Sequence, residues 1–170
     1  QFAQALTGLA GTAVLVGSGG ELPLAQGVAS GLAGTGMRVI NLAGQTSLKQ
    51  LAALLSRVDG VLSNDSGPMH LAAGLGTPVV GLFTCTSPVQ SGPVPLGGVP
   101  LRSPTSGVGH PVAGIQEHAL VATSVACAAS YRKECPYVGE RRQACFAALE
   151  VARVREALTR VLAGGVPGER

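Results

Sequence analysis

A chain of 170 residues is the size of one ordinary domain, and with 46% apolar but only 3% aromatic residues its core must be built from Ala, Val and Leu. A formal charge of +3 is too small to argue for nucleic acid as a partner, and no apolar run approaches the roughly 18 residues of a membrane span. The 25 glycines and 11 prolines are unevenly placed and are densest in residues 87–114, which marks a loop region rather than a collagen-like or disordered chain.

In chain order, Phe2–Leu9 reads as the tail of a helix closed by Gly11. Ala13-Val14-Leu15-Val16 is a short apolar run with glycine punctuation after it, the pattern of a buried parallel strand. Glu21–Leu32 reads as a helix whose regular part begins after Pro23, and Arg38-Val39-Ile40 as a second strand. Ser47 is placed to cap a helix over Leu48–Ser56 with Leu48, Leu51, Leu54 and Leu55 on one face. Val61-Leu62-Ser63 is a third strand, Met69–Leu75 a helix closed by Gly76, and Val79–Phe83 a fourth strand. Strands alternating with helices at this pace predict βαβ units and a parallel sheet over about residues 12–101. The periodicity fails across residues 84–130, where one more short strand, Val99-Pro100-Leu101, is expected inside a long surface segment. Val151–Leu162 is expected to close the domain as an amphipathic helix.

Open parallel sheets bind ligands beyond the carboxyl ends of their strands. Every candidate group falls there: Gly17-Ser18-Gly19-Gly20-Glu21, then 41–47, 64–70 and 84–87, four loops expected to converge on one crevice. The richest stretch is Ser63-Asn64-Asp65-Ser66-Gly67-Pro68-Met69-His70-Leu71-Ala72-Ala73. Proline suits a first helical turn because its missing N–H would have had no partner there. Ser66 or Gly67 can cap, and Gly67 lets an anion approach backbone N–H groups at a helix start, which suits the diphosphate of a nucleotide. His70, one turn in, is expected to point back toward the same place. The same residues equally serve a plain helix cap with a solvated histidine. Glu21 also has two readings, an acceptor for ribose hydroxyls or a carboxylate at a helix N-terminus. Gly17–Gly20 lacks the spacing of a dinucleotide fingerprint.

Three blocks stand in order: Asn41-Leu42-Ala43-Gly44-Gln45-Thr46-Ser47-Leu48, the Ser63–Ala73 stretch, and Gly76-Thr77-Pro78-Val79-Val80-Gly81-Leu82-Phe83-Thr84-Cys85-Thr86-Ser87-Pro88. Together they resemble the nucleotide-sugar-binding half of the ADP-heptose:lipopolysaccharide heptosyltransferases, glycosyltransferase family 9. The resemblance runs from about Thr12 to Ser87 and returns weakly from Cys127 onward. It implies a Rossmann-like parallel sheet with helices on both faces, one half of a GT-B enzyme, with residues 1–170 as its C-terminal domain. It further implies metal-independent, inverting transfer of heptose from ADP-heptose to a lipopolysaccharide inner-core acceptor, in the cytoplasm and peripheral to the inner membrane, with no cofactor. Carried over residue by residue, it assigns Glu21 to the ribose and residues 43–48, with Thr46, Ser47 and Leu48, to the adenine. Asp65, Ser66 and Gly67 fall to the diphosphate and sugar, and His70 near the phosphates. Where the family often has Lys after Asn-Leu-Ala-Gly, Gln45 stands here, so a cationic contact from that loop is not carried over.

No catalytic base is evident, and the resemblance places that group in an N-terminal acceptor domain expected outside this chain. The opening Gln1-Phe2-Ala3-Gln4, without an initiating Met, fits a fragment. Two rival readings stand beside the heptosyltransferase: an enzyme of the same fold using a UDP-sugar, and a nucleotide-binding module without turnover. The basic residues gather late, from Arg132 to Arg170, and can face an anionic acceptor or membrane, but interspersed Glu134, Glu140, Glu150 and Glu156 favour a solvated helix face. Cys127, Cys135 and Cys145 carry no Cys-x-x-Cys pair for zinc, so reduced, partly buried thiols are expected.

Overall fold

Strand and helix alternate as expected through residue 83 in the computed structural model, which describes residues 2–93, 118–123 and 125–164. The expected strand Val99–Leu101 lies outside the described residues. The chain forms two compact units, Gln1–Leu54 and Leu55–Arg170.

In the first unit the N-terminal segment is a 3-10 helix, Phe2–Leu6, shorter and tighter than the expected helical tail. Gly8 (φ +81°) and Gly11 (φ +123°) take left-handed backbone conformations that end helical geometry there. Strand β1, Thr12–Leu15, pairs in parallel with β2, Arg38–Asn41, in register from Thr12↔Arg38 to Leu15↔Asn41. Between them a 3-10 turn, Gly19–Glu21, leads into helix α1, Leu22–Gly31, whose Pro23 sits in the first turn where its missing N–H costs nothing. A Cβ at Gly31 would stand 3.2 Å from the Ala3 Cβ, so the bare glycine lets the N-terminal 3-10 helix lie against α1.

Helix α2, Leu48–Leu55, follows β2 and ends on the buried Leu55. In the second unit, β3 (Val61–Asn64), β4 (Val79–Phe83) and β5 (Ala119–Ala122) form a parallel sheet in the order β3-β4-β5. All five residues of the central strand are buried, as a near-continuous apolar run in a parallel sheet requires. Helix α3, Gly67–Gly74, joins β3 to β4 and packs on both through Met69, Ala72 and Ala73. A Cβ at Gly81 would lie 3.0 Å from Met69 Sδ and 2.9 Å from Phe83 Cε2, so that glycine sets how closely α3 approaches the sheet. The helix closes in a Schellman motif: Thr77 N–H reaches Ala72 O, Gly76 N–H reaches Ala73 O, and Gly76 takes φ +81°.

Two elements fall in the segment expected to be irregular. A one-turn helix α4, Pro88–Ser91, begins at Ser87, and β5 extends the sheet in register from Val80↔Ala119 to Phe83↔Ala122. Four apolar residues bounded by text without periodicity give too little pattern for a strand, and the pairing itself supplies the order. His118, just before β5, is buried, and its Nδ1 accepts the Val79 N–H at 3.1 Å, tying the entrances of β4 and β5 together. A short α5, Ala144–Ala147, precedes the closing helix α6, Val151–Gly164, which buries Val154, Leu158 and Val161 and packs against β4 and β5.

Candidate functional site

In the first unit, the loop after β1 turns at Ser18. Glu21 Oε2 accepts both the Ser18 N–H and the Ser18 hydroxyl, each at 2.7 Å, which completes a capping box around the Gly19–Glu21 turn. The Ser18 hydroxyl and backbone bonds hold the Glu21 carboxyl below the usual carboxylate range. The carboxylate is exposed and both bonds fall on one oxygen, so the helix-terminus role of Glu21 is realised through Oε2 alone.

The loop after β2 is pinned to the loop after β1. Asn41 Oδ1 accepts the Ala43 N–H at 3.0 Å, and Gly44 N–H donates to Gly17 O at 2.8 Å. Gly44 takes φ +73°, and a Cβ there would stand 2.8 Å from the Gly19 Cα. Gln45 folds back, its amide donating to Asn41 O at 3.1 Å. Ser47 and Gln50 form a second reciprocal cap: the Ser47 N–H and hydroxyl donate to Gln50 Oε1 at 2.9 and 2.8 Å, and Gln50 N–H returns to Ser47 Oγ at 3.4 Å. Thr46 is half-buried beside it, and Leu48, which opens α2, is 73% exposed.

In the second unit, the turn between β3 and α3 carries Asp65, Ser66, Gly67 and His70. Asp65 N–H still bonds Leu82 O at 3.2 Å, so the carboxylate stands at the carboxyl end of the sheet. Its oxygens are both engaged: Oδ1 lies 3.1 Å from His70 Nε2, and Oδ2 accepts the Ser91 hydroxyl at 2.7 Å. The Asp65 carboxylate is thus bonded to His70 on one oxygen and to Ser91 on the other. Ser66 is the N-cap residue by position, but its hydroxyl pairs with Ser63 Oγ at 3.0 Å and makes no cap bond. Met69 and His70 N–H groups bond Ser66 O, while Pro68 has none to offer. The backbone N–H groups of Ser66 and Gly67 thus form the approach to this turn. Gly67 is exposed with open space where a Cβ would stand, and its φ is not left-handed, so its freedom is room for a neighbour rather than relief of strain.

Sequence reasoning missed Ser91 and Tyr131. Tyr131 hydroxyl accepts the Ser87 N–H at 3.2 Å, its own N–H bonds Cys85 O at 2.8 Å, and both bonds steady the start of α4 that presents Ser91. Ser87-Pro88 was the available signal, since a Ser followed by Pro commonly opens a helix.

The four cysteines are free thiols, and Cys135 is exposed rather than partly buried. The Gln143 N–H donates to its sulfur at 3.3 Å, and with a second backbone N–H from Tyr137 it draws the thiol below its usual range. Burial pushes Cys145 the other way, with Cys127 and Cys135 adding like charge. Among the described residues no three His, Cys, Asp or Glu side chains are grouped to hold a metal ion. A depression along α6, lined by Arg155, Glu156, Thr159 and Arg160 with Ala152 and Ala163, is the surface of one helix and shares no residue with the β3–α3 turn. Among the described residues no helix is long and apolar enough to cross a membrane.

A family model described as Glycosyltransferase family 9 (heptosyltransferase) matches residues 11–101. The lipopolysaccharide core heptosyltransferase OpsX of Haemophilus influenzae is 57% identical over 53 residues, 31% of this chain and 15% of its own length. The lipooligosaccharide heptosyltransferase 2 of Haemophilus ducreyi is 41% identical over 91 residues, 52% of this chain and 26% of its own. A solved structure of the Escherichia coli ADP-heptose LPS heptosyltransferase II aligns with TM-score 0.58 and 24% identity over 88% of this chain and 36% of that one. A glycosyl transferase family 9 protein from Veillonella parvula aligns with TM-score 0.61 and 20% identity over 95% and 40%. These two likenesses concern the fold. The chain covers 15% and 26% of those two curated relatives and at most two-fifths of the solved chains.

Proposed function

The chain belongs to glycosyltransferase family 9, the heptosyltransferases, and on that premise we propose that it supplies the donor-binding part of an enzyme transferring heptose from ADP-heptose to a lipopolysaccharide inner-core acceptor. The observation that carries the reading is the β3–α3 turn. There an open Gly67, the start of an eight-residue helix and the Asp65–His70 pair meet at the carboxyl end of a parallel strand. The diphosphate is assigned to this turn. Ser66 and Gly67 N–H groups donate to its oxygens, each charge-assisted bond contributing about 1.5–3 kcal/mol. Holding the charge that develops on the departing nucleoside diphosphate lowers the barrier to glycosyl transfer. Glu21 takes the ribose through the oxygen that Ser18 leaves open, and the exposed Leu48, with Thr46 and Ser47, offers its surface to the adenine. The base that deprotonates the acceptor hydroxyl, the acceptor itself and any contact with the cytoplasmic face of the inner membrane are assigned to the remainder of the enzyme.

Calorimetric titration of the chain with ADP and with UDP tests this. ADP is expected to bind more tightly, with or without Mg²⁺. A preference for UDP by about tenfold, or about 1.4 kcal/mol, refutes the adenine assignment.

A further inference from the structure

We propose that His70 engages an anionic phosphate only as the imidazolium, so that diphosphate binding at the β3–α3 turn takes up a proton, and that Ser91 is the positioning residue that enforces this by orienting Asp65. The inference rests on the reading of this turn as the diphosphate site.

The starting point is which atoms are already engaged. An ionised carboxylate can only accept hydrogen bonds. Asp65 Oδ2 is satisfied by the Ser91 hydroxyl at 2.7 Å, and Oδ1 faces His70 Nε2 at 3.1 Å. The ring must therefore carry its proton on Nε2. In the neutral ring this leaves Nδ1 with a bare lone pair, which accepts and cannot donate. A neutral His70 in this orientation has no proton to offer a phosphate oxygen, whose own lone pairs would face that of Nδ1. A second proton on Nδ1 changes both facts: the ring becomes a donor at its free nitrogen, and its charge balances Asp65.

The surroundings favour this arrangement. The Asp65 side chain is 13% exposed whereas that of His70 is 45% exposed, so the carboxylate is largely withdrawn from water while the ring meets solvent. Asp65 is the titratable group hydrogen-bonded to the ring among the described residues. The strands under α3, Val61–Asn64 and Val79–Phe83, contain no titratable residue, nor does α4. Between β4 and α4 stands Cys85, whose carbonyl accepts the Tyr131 N–H, and the Tyr131 hydroxyl is engaged on the Ser87 N–H. A diphosphate arriving beside Asp65 adds negative charge where one carboxylate already stands, and by linkage whatever favours the anion favours the imidazolium equally. Ser91 enters because its single hydroxyl proton is shared between Asp65 Oδ2 at 2.7 Å and Ser87 O at 3.0 Å, the shorter bond being to the charged acceptor. Without that bond the carboxylate is free to rotate and no longer dictates the tautomer.

Two measurements on the chain test the inference. In the ligand-free protein at mildly alkaline pH, nitrogen-15 NMR of the imidazole is expected to show the Nε2–H tautomer for His70, shifting to a mixture in Ser91→Ala and restored in Ser91→Thr. An Nδ1–H tautomer in the parent overturns the proposal without any ligand. Calorimetry with ADP in buffers of different ionisation heat is expected to show net proton uptake in the parent beyond that in His70→Gln. ADP's own ionisation is common to both proteins. The parent's affinity should fall relative to His70→Gln as pH rises, by up to about tenfold per pH unit, the limit for one linked proton. ADP binding with identical proton counts in parent and His70→Gln refutes the inference and leaves the nucleotide reading intact. Failure to bind ADP at any pH refutes the nucleotide reading and proton uptake together, while the tautomer measurement still decides what Asp65 and Ser91 impose on the ring.

Discussion

Gly44→Ala should damage the first unit out of proportion to the single methyl it adds. Gly44 sits at φ +73°, where an L-residue costs about 1–2 kcal/mol relative to glycine. The new Cβ would lie 2.8 Å from the Gly19 Cα and 3.2 Å from the Gly19 nitrogen, both backbone atoms that no rotamer change can move aside. Relieving that overlap means separating the two loops and stretching the 2.8 Å bond from Gly44 N–H to Gly17 O, an overpacking penalty of about 1–3 kcal/mol. The two effects together predict a loss of about 2–5 kcal/mol. Because the chain has no tryptophan, the assay is urea denaturation followed by far-ultraviolet circular dichroism. Gly67→Ala is the control: Gly67 has no left-handed φ and nothing within 4 Å of a new Cβ, so its stability should match the parent. Equal unfolding midpoints for Gly44→Ala and Gly67→Ala would refute the claim that the first two loops are held together at this glycine.

Four further outcomes follow from the geometry. Gly67→Val should retain the parent's unfolding midpoint yet lose ADP binding by calorimetry, because the added side chain fills space that the diphosphate needs; normal affinity would remove the anion from this turn. Glu21→Gln should fold normally, since glutamine also completes a capping box, but weaken ADP binding by about 1.5–3 kcal/mol; unchanged affinity would leave Glu21 a structural cap. Burial lowers the pKa of His118 from its ordinary value of 6.5, so stability should be full above pH 6.5 and fall with pH below it, as the unfolded chain binds the proton first; His118→Gln should flatten that dependence in urea titrations at several pH values. Among Cys85, Cys127, Cys135 and Cys145, iodoacetamide should alkylate Cys135 first near neutral pH, read by peptide mass mapping, because it is exposed and its thiolate is favoured by backbone N–H groups; faster labelling of Cys145 would contradict the opposing shifts.

The features legible in the sequence are those decided within a few residues. Pro68 marks a helix start and Gly76 its end because both act on their own backbone dihedrals, and the structure has α3 between them with a Schellman close. Val79–Phe83 declares itself a buried strand because five apolar residues in a row have nowhere else to go. The Ser47–Gln50 cap was half readable from Ser47, and Ser18–Glu21 has the same spacing, so the two readings of Glu21 were separable as far as the cap is concerned. Strand β5 was not legible: Ala119–Ala122 is too short to show a period, and its conformation comes from pairing with a strand about 40 residues away.

The same distinction governs Asp65. Asp beside Ser, Gly and Pro most often bonds the backbone next to it. The structure instead gives its two oxygens to His70, five residues on, and to Ser91, 26 residues on. The first partner follows from helix geometry, since a residue one turn into α3 returns over the helix start. The second depends on where α4 lies after β4, which no local pattern states. Each carboxylate oxygen has two acceptor sites, so the bonds to His70 and Ser91 leave Asp65 able to accept a further hydroxyl. The proposed effect of Asp65 on the ring is separate from any such contact, and Asp65→Asn tests it. The amide keeps the shape of the side chain but can present either a donor or an acceptor to Nε2. The variant should leave the fold intact and populate both imidazole tautomers by nitrogen-15 NMR, with ADP affinity depending less on pH than in the parent. A single tautomer and an unchanged pH dependence in Asp65→Asn would mean that the carboxylate does not govern the ring.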